Sequence, residues 1–184
     1  YVDYEKIYMG RFELLEKAFH RFVPDQAYET FVEKNKKWLE DYSLYMAIKN
    51  SLGGIAWSEW EAPLKTRQEA ALEEKRVELK EQMDFICFQQ YEFAKQWEKL
   101  KQYANEKGIQ IIGDIPIYVA FDSADAWANP ELFQFDENST PLAVAGCPPD
   151  AFAATGQLWG NPLYRWDYHA QTGYVWWISR LRHC

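Results

Sequence analysis

The chain has 184 residues, 20 Lys plus Arg, 28 Asp plus Glu and a net charge of −8. At 48% hydrophobic and 17% aromatic it can bury a sizeable core, which excludes the disordered class. The acidic balance argues against nucleic acid, because binding to a phosphate backbone draws on clustered Lys and Arg. No apolar run is long enough for a membrane-spanning helix.

Chemistry divides the chain near Gly108. Residues 1–108 hold 17 of the 20 basic and 20 of the 28 acidic residues, and they read as a helix-rich part. Residues 109–184 hold three basic residues, all Arg, with six of the eight prolines and five of the nine tryptophans. That second part reads as a barrel strand followed by ordered, aromatic loops.

In the first part, Phe12, Leu15, Phe19 and Phe22 step by three and four, the spacing of one helix face. Pro24 ends that helix or opens the next turn. Trp38, Tyr42, Tyr45 and Ile48 form a second face, stopped by Gly53 and Gly54. A long helix follows Pro63, with the stripe Leu79, Met83, Ile86, Phe93, Trp97, Leu100 and Ala104, and Gly108 as its stop. These stripes are read as packing.

After Gly108 the period changes. Ile109, Ile111, Ile112, Ile115, Ile117, Tyr118 and Val119 form a nearly continuous apolar run, broken by Gly113, Asp114 and Pro116. Such a run behind a long helix fits a parallel strand buried on both faces, and so an α/β class. Asp114 then falls where a barrel presents polar groups to its active face. Asp122 or Ser123 is expected to cap a following helix. Their spacing lacks the pattern of a calcium loop. Trp127 and Trp166 are read as packing. Trp176 and Trp177 are adjacent and point to different faces.

The three cysteines, Cys87, Cys147 and Cys184, are odd in number and widely spaced. With His20, His169 and His183 they make no metal-ligand pattern. Residues 1–10 carry no basic segment ahead of an apolar core, so a reducing, cytoplasmic setting is expected. The uncapped patterns at both ends are read as those of a fragment.

Two segments stand apart. One is Gly113-Asp114-Ile115-Pro116-Ile117-Tyr118-Val119, continuing through Asp122-Ser123-Ala124-Asp125-Ala126-Trp127-Ala128-Asn129-Pro130-Glu131-Leu132-Phe133. The other is Val144-Ala145-Gly146-Cys147-Pro148-Pro149-Asp150-Ala151-Phe152, continuing through Gly156-Gln157-Leu158-Trp159-Gly160-Asn161-Pro162-Leu163-Tyr164. Stiff Pro, permissive Gly and single polar or aromatic side chains hold groups in fixed places. These runs, with Trp38-Leu39-Glu40-Asp41-Tyr42 and the helix through Gln96-Trp97, resemble the 4-α-glucanotransferases of glycoside hydrolase family 77, the amylomaltases or disproportionating enzymes. The likeness covers essentially the whole chain.

The resemblance implies part of a (β/α)8 TIM barrel with long inserted loops. It implies transfer of α-1,4-glucan segments to a glucan or glucose acceptor with retention, and maltooligosaccharides as ligands. It implies no cofactor and no metal. Retention uses two carboxylates. The family's nucleophile sits in an Arg-x-Asp-His segment and its acid/base Glu lies further on. Neither segment is in this sequence, nor is the family's Ser-Pro-Tyr segment, so no catalytic residue is assigned and the chain alone is expected to be inactive.

Asp114 matches a strand-end aspartate near the reaction centre, in a supporting role; the other reading is a turn cap. Asp150 matches a loop over bound glucan; the other reading is a turn aspartate. Ala151 stands where many relatives have an aromatic residue, with Phe152 as the compensating ring. Trp159 is the expected stacking residue. Gln157 and Asn161 either meet sugar hydroxyls or brace the loop. A non-catalytic glucan-binding module using Trp159, Phe152 and Tyr164 as a platform is the alternative.

Overall fold

A computed structural model describes residues 1–183. Cys184 lies outside the described residues. The elements are α1 (Tyr4–Phe19), α2 (Gln26–Ser51), α3 (Ala62–Lys65), α4 (Glu69–Glu78), α5 (Lys80–Glu106), α6 (Ala124–Ala128), β1 (Val144–Cys147), β2 (Gln157–Pro162), α7 (Trp166–Gln171) and α8 (Val175–His183). They form two compact units. One comprises Tyr1–Ser51 and Glu73–Gln110; the other comprises Leu52–Leu72 and the chain from Ile111 onward.

The first unit is helical. Asp25 starts α2 by accepting the Tyr28 amide at 2.8 Å. The helix ends at Ser51, ahead of Gly53 and Gly54, both with positive φ. α2 packs along α5. Leu39, Leu44, Tyr45, Ala47 and Ile48 are buried from α2, and Ile86, Phe88 and Tyr91 from α5. Phe19 and Phe22 meet Phe88 with ring centroids 5.6 and 4.9 Å apart. Two expected faces are only half covered. Trp38 is exposed, its indole N–H donating to Asn35 Oδ1 at 3.0 Å. Phe93, Trp97 and Leu100 keep the helical spacing but face solvent.

The second unit is built on rings. The Trp57 Nε1–H donates to the Phe121 carbonyl at 2.7 Å, and the Trp127 Nε1–H to the Leu64 carbonyl at 3.0 Å. These bonds bring the short 52–72 stretch into the same core as the chain after Ile111. Ser123 caps α6, its hydroxyl accepting the Ala126 amide at 3.3 Å. Asp122 instead accepts the Trp57 amide, also at 3.3 Å. Trp127 is packing, as expected. Trp166 is only partly so: it stacks on Trp177 at 5.8 Å and meets Tyr164 and His169, yet stays 54% exposed.

The expected parallel strand is not formed. Residues 109–119 make no strand pairing, and Ile112 is 91% exposed. The physical reason is partnership. A β-rich run becomes a strand only when a neighbouring strand takes its amides and carbonyls, and no described strand does so along this run. Among the described residues the sheet is one antiparallel pair, β1 with β2, registered Gly146 to Leu158 and Cys147 to Gln157. Among the described residues the architecture is therefore a helix-rich chain with one small antiparallel hairpin.

Two glycines permit the hairpin's close approach. A Cβ on Gly146 would sit 2.5 Å from the Gln157 carbonyl oxygen, and one on Gly156 would sit 2.6 Å from that of Cys147. Gly156 also has φ +72°.

His169 is fully buried on α7. Its Nε2–H donates to the Leu132 carbonyl at 3.2 Å, while Nδ1 is buried without a partner among the described residues. Tyr164, Trp166, Trp176 and Trp177 surround it. Burial holds its pKa below the usual 6.5. A depressed pKa means that the unfolded chain takes the proton first. The stability contributed by the neutral His169 is thus fully present above about pH 6.5 and is lost as pH falls through the folded pKa. Melting of the full-length protein is expected to show a steeper loss between pH 7.5 and 5 than melting of the His169→Gln variant. Parallel curves would refute the role given to this imidazole.

Candidate glucan-binding site

The β1–β2 hairpin and the 113–119 segment carry the six residues singled out from the sequence. On β2, Gln157 and Trp159 are two apart and share a face. The indole Nε1–H donates to Gln157 Oε1 at 3.0 Å. That bond satisfies the indole N–H. Trp159 is 50% exposed. Its inner contact is the Tyr118 ring, T-shaped at 6.1 Å. Tyr118 in turn stacks on Tyr164 at 5.9 Å and 7°. Three rings therefore run in series from the surface to the core.

Asn161 acts as a brace. Its Nδ2–H donates to the Val119 carbonyl at 2.8 Å, holding β2 to the 113–119 segment. Asp150 sits in the loop that joins the two strands. Its Oδ1 accepts the amides of Phe152 and Ala153, both at 2.8 Å, so the carboxylate builds an Asx turn. Oδ2 makes no hydrogen bond among the described residues. The turn reading and a ligand role are thus compatible, one oxygen to each. The same turn pushes Phe152 outward, to 96% exposure. Asp114 is exposed and makes no side-chain hydrogen bond among the described residues.

Tyr164 does not belong to an exposed platform. It is 2% exposed, and its hydroxyl donates to the Ile117 carbonyl at 2.9 Å. Burial pushes the phenol pKa up, so the group stays a donor. A hollow of about 630 Å³ lies beside it, between Gln134, Leu142, Trp166 and Asp167, and none of the six residues lines it.

Sequence patterns missed Tyr118 and Arg180. Tyr118 sits in the apolar run and reads as one more strand residue. Arg180 donates from Nη2 to the Pro116 carbonyl at 2.7 Å, with its guanidinium over Trp176 at 4.5 Å. The available signal was that Arg180 is one of three basic residues after Gly108 and lies four positions from Trp176 on one helix face.

A sequence profile described as 4-alpha-glucanotransferase matches residues 1–184. The chain belongs to the 4-alpha-glucanotransferase family. It is 51% identical over 185 residues to the 4-alpha-glucanotransferase of Streptococcus pneumoniae serotype 4, covering 98% of this chain and 37% of that one. With the Aquifex aeolicus 4-alpha-glucanotransferase it shares 50% identity over 180 residues, covering 98% and 37%. The solved structure of amylomaltase from Streptococcus agalactiae in complex with acarbose superposes with a TM-score of 0.92 at 44% identity, covering 99% of this chain and 38% of that one. The chain thus spans less than two fifths of the length of these 4-alpha-glucanotransferases. Among the described residues, no group of three or more His, Cys, Asp or Glu is placed to hold a metal, and no helix is long and apolar enough to cross a membrane.

Proposed function

We propose that residues 1–184 form one wall of the glucan cleft of a retaining 4-α-glucanotransferase. The whole enzyme would cut an α-1,4-glucan, hold the piece covalently and pass it to the 4-hydroxyl of a second glucan or glucose. Its nucleophile and acid/base would come from segments other than residues 1–184. The chemistry needs two carboxylates and no metal or organic cofactor.

The observation that carries the reading is Trp159. A half-exposed indole whose N–H is already satisfied offers its flat face to the CH face of a sugar ring. On the same hairpin and its loop, Gln157, Phe152 and the open oxygen of Asp150 supply the mixture of polar and aromatic groups that a sugar ligand requires. Asp114 is the supporting carboxylate of the reaction centre. The acarbose-bound structure is the relative's ligand state and lends support by fold likeness. The 109–119 run, with no strand partner among the described residues and a β-branched composition, is read as one strand of a (β/α)8 barrel whose neighbours lie in other segments. The free thiols of Cys87 and Cys147 suit a reducing, cytoplasmic setting.

Incubation with maltotriose tests the reading. The full-length protein is expected to produce both longer and shorter glucans. Residues 1–184 alone are expected to produce none. Release of glucose without longer products, or no reaction of the full-length protein, would overturn it.

A further inference from the structure

The 113–119 segment carries Asp114 and Tyr118 yet has no sheet to hold it. Its backbone makes no hydrogen bond to another backbone group among the described residues. Three side chains hold it instead, each from far along the chain. Arg180 Nη2 donates to the Pro116 carbonyl at 2.7 Å, the Tyr164 hydroxyl to that of Ile117 at 2.9 Å, and Asn161 Nδ2 to that of Val119 at 2.8 Å.

We propose that Arg180 is a positioning residue for the glucan-transfer centre, holding Asp114 in place through the Pro116 carbonyl, with Tyr164 and Asn161 as its companions on the next carbonyls. The proposal rests on the reading of Asp114 given above. Three features make Arg180 suited to this task.

The first is leverage. Only Ile115 separates Pro116 from Asp114. Pro116 has a fixed φ and confines Ile115 to extended conformations. A tie at the Pro116 carbonyl is therefore transmitted to Asp114 across few free torsions. The second is rigidity. The Arg180 guanidinium lies 4.5 Å from the Trp176 ring centroid and 5.1 Å from that of Trp177. Stacking on two indoles restricts the side chain before it bonds. Trp176 is itself tied down, its Nε1–H donating to Asp125 Oδ1 at 3.1 Å. The third is chemistry. An arginine N–H is a permanent donor at any pH the enzyme meets, so the tie does not loosen with titration.

The test compares Arg180→Met, Arg180→Lys and Asp114→Asn in the full-length protein, with maltotriose as substrate. Methionine keeps the stem and loses the donor. Arg180→Met is expected to lower kcat about 10- to 100-fold with KM within about threefold, because a misplaced group costs rate rather than binding. Arg180→Lys keeps one donor and is expected to recover most of the lost kcat. The double variant Arg180→Met/Asp114→Asn is expected to be no worse than Asp114→Asn alone, within about threefold, since both act on one group.

Multiplying losses in the double variant would overturn the proposal. So would a loss confined to KM, or a lower melting temperature with kcat unchanged. A wild-type protein that transfers no glucan refutes the functional reading instead. In that case a crystal structure of Arg180→Met decides the tie separately: displacement of residues 114–117 supports it, and an unmoved segment overturns it.

Discussion

Trp127→Ala is expected to cost about 3–5 kcal/mol of stability, the range for deleting a large buried aromatic side chain. Trp127 is 1% exposed and meets the Trp60 ring edge-on at 5.6 Å. The Arg67 guanidinium lies 4.2 Å over its centroid. Truncation opens a cavity among these groups and removes the indole N–H that donates to the Leu64 carbonyl at 3.0 Å, leaving that carbonyl with the Arg67 amide at 3.2 Å. The lost hydrogen bond adds about 0.5–1.5 kcal/mol to the cavity's cost, so the two effects together place this substitution in the upper part of that range. Trp127→Phe separates them: it keeps much of the ring volume and loses the donor. Its expected cost is about 1–2 kcal/mol, from one lost hydrogen bond and a small loss of ring volume. Denaturant unfolding of the full-length protein, followed by near-ultraviolet circular dichroism, checks both. The bond joins the 52–72 stretch to α6, so its loss is also expected to make that stretch protease-sensitive before the rest. A Trp127→Ala cost under about 1 kcal/mol would mean that the second unit does not depend on this ring.

What the sequence disclosed was the local part of the structure. Gly108, with φ +73°, follows the last turn of α5, and Ser123 caps α6, because helix ends are set by residues within one turn. Asp150 reads as a turn residue for the same reason; its partners are two and three positions away. The non-local part was hidden. Ile109 to Val119 has the composition of a strand, but pairing depends on partners that the run itself does not encode. Phe93, Trp97 and Leu100 have helical rhythm, and rhythm names a face without saying what covers it. Asn161 left two roles open, and the choice fell to a carbonyl 42 residues away. Arg180 reaches one 64 residues away. Neither separation leaves any periodic trace. The family likeness supplied positions for Asp114, Asp150 and Trp159. It did not convey how the segment carrying Asp114 is held, because Tyr164 and Arg180, which share that task with Asn161, look like ordinary core and helix residues.

Trp159→Ala is expected to weaken binding of maltooligosaccharides to the full-length protein about 20- to 100-fold. A stacked indole covers about 100 Å² of sugar, worth about 2.5 kcal/mol at about 25 cal/mol per Å², and truncating a central aromatic contact commonly costs about 2 kcal/mol or more. The fold should lose little. The ring is 50% exposed, its hydrogen bond is to the equally exposed Gln157, and its inner neighbour Tyr118 is also held by Tyr164. A large loss of affinity with a nearly unchanged melting temperature is therefore the signature of a ligand-facing residue. Trp159→Phe keeps a stacking face of smaller area and is expected to lose about 3- to 10-fold. In steady-state transfer from maltotriose, the alanine loss should appear mainly as higher KM, because a ring gripping ground state and transition state alike changes binding more than rate. Titration calorimetry with maltoheptaose, alongside thermal melts, decides the matter. Equal affinity for wild type and Trp159→Ala would remove the indole from the glucan path. A loss of affinity that merely tracks a collapse in melting temperature would make it a packing residue instead.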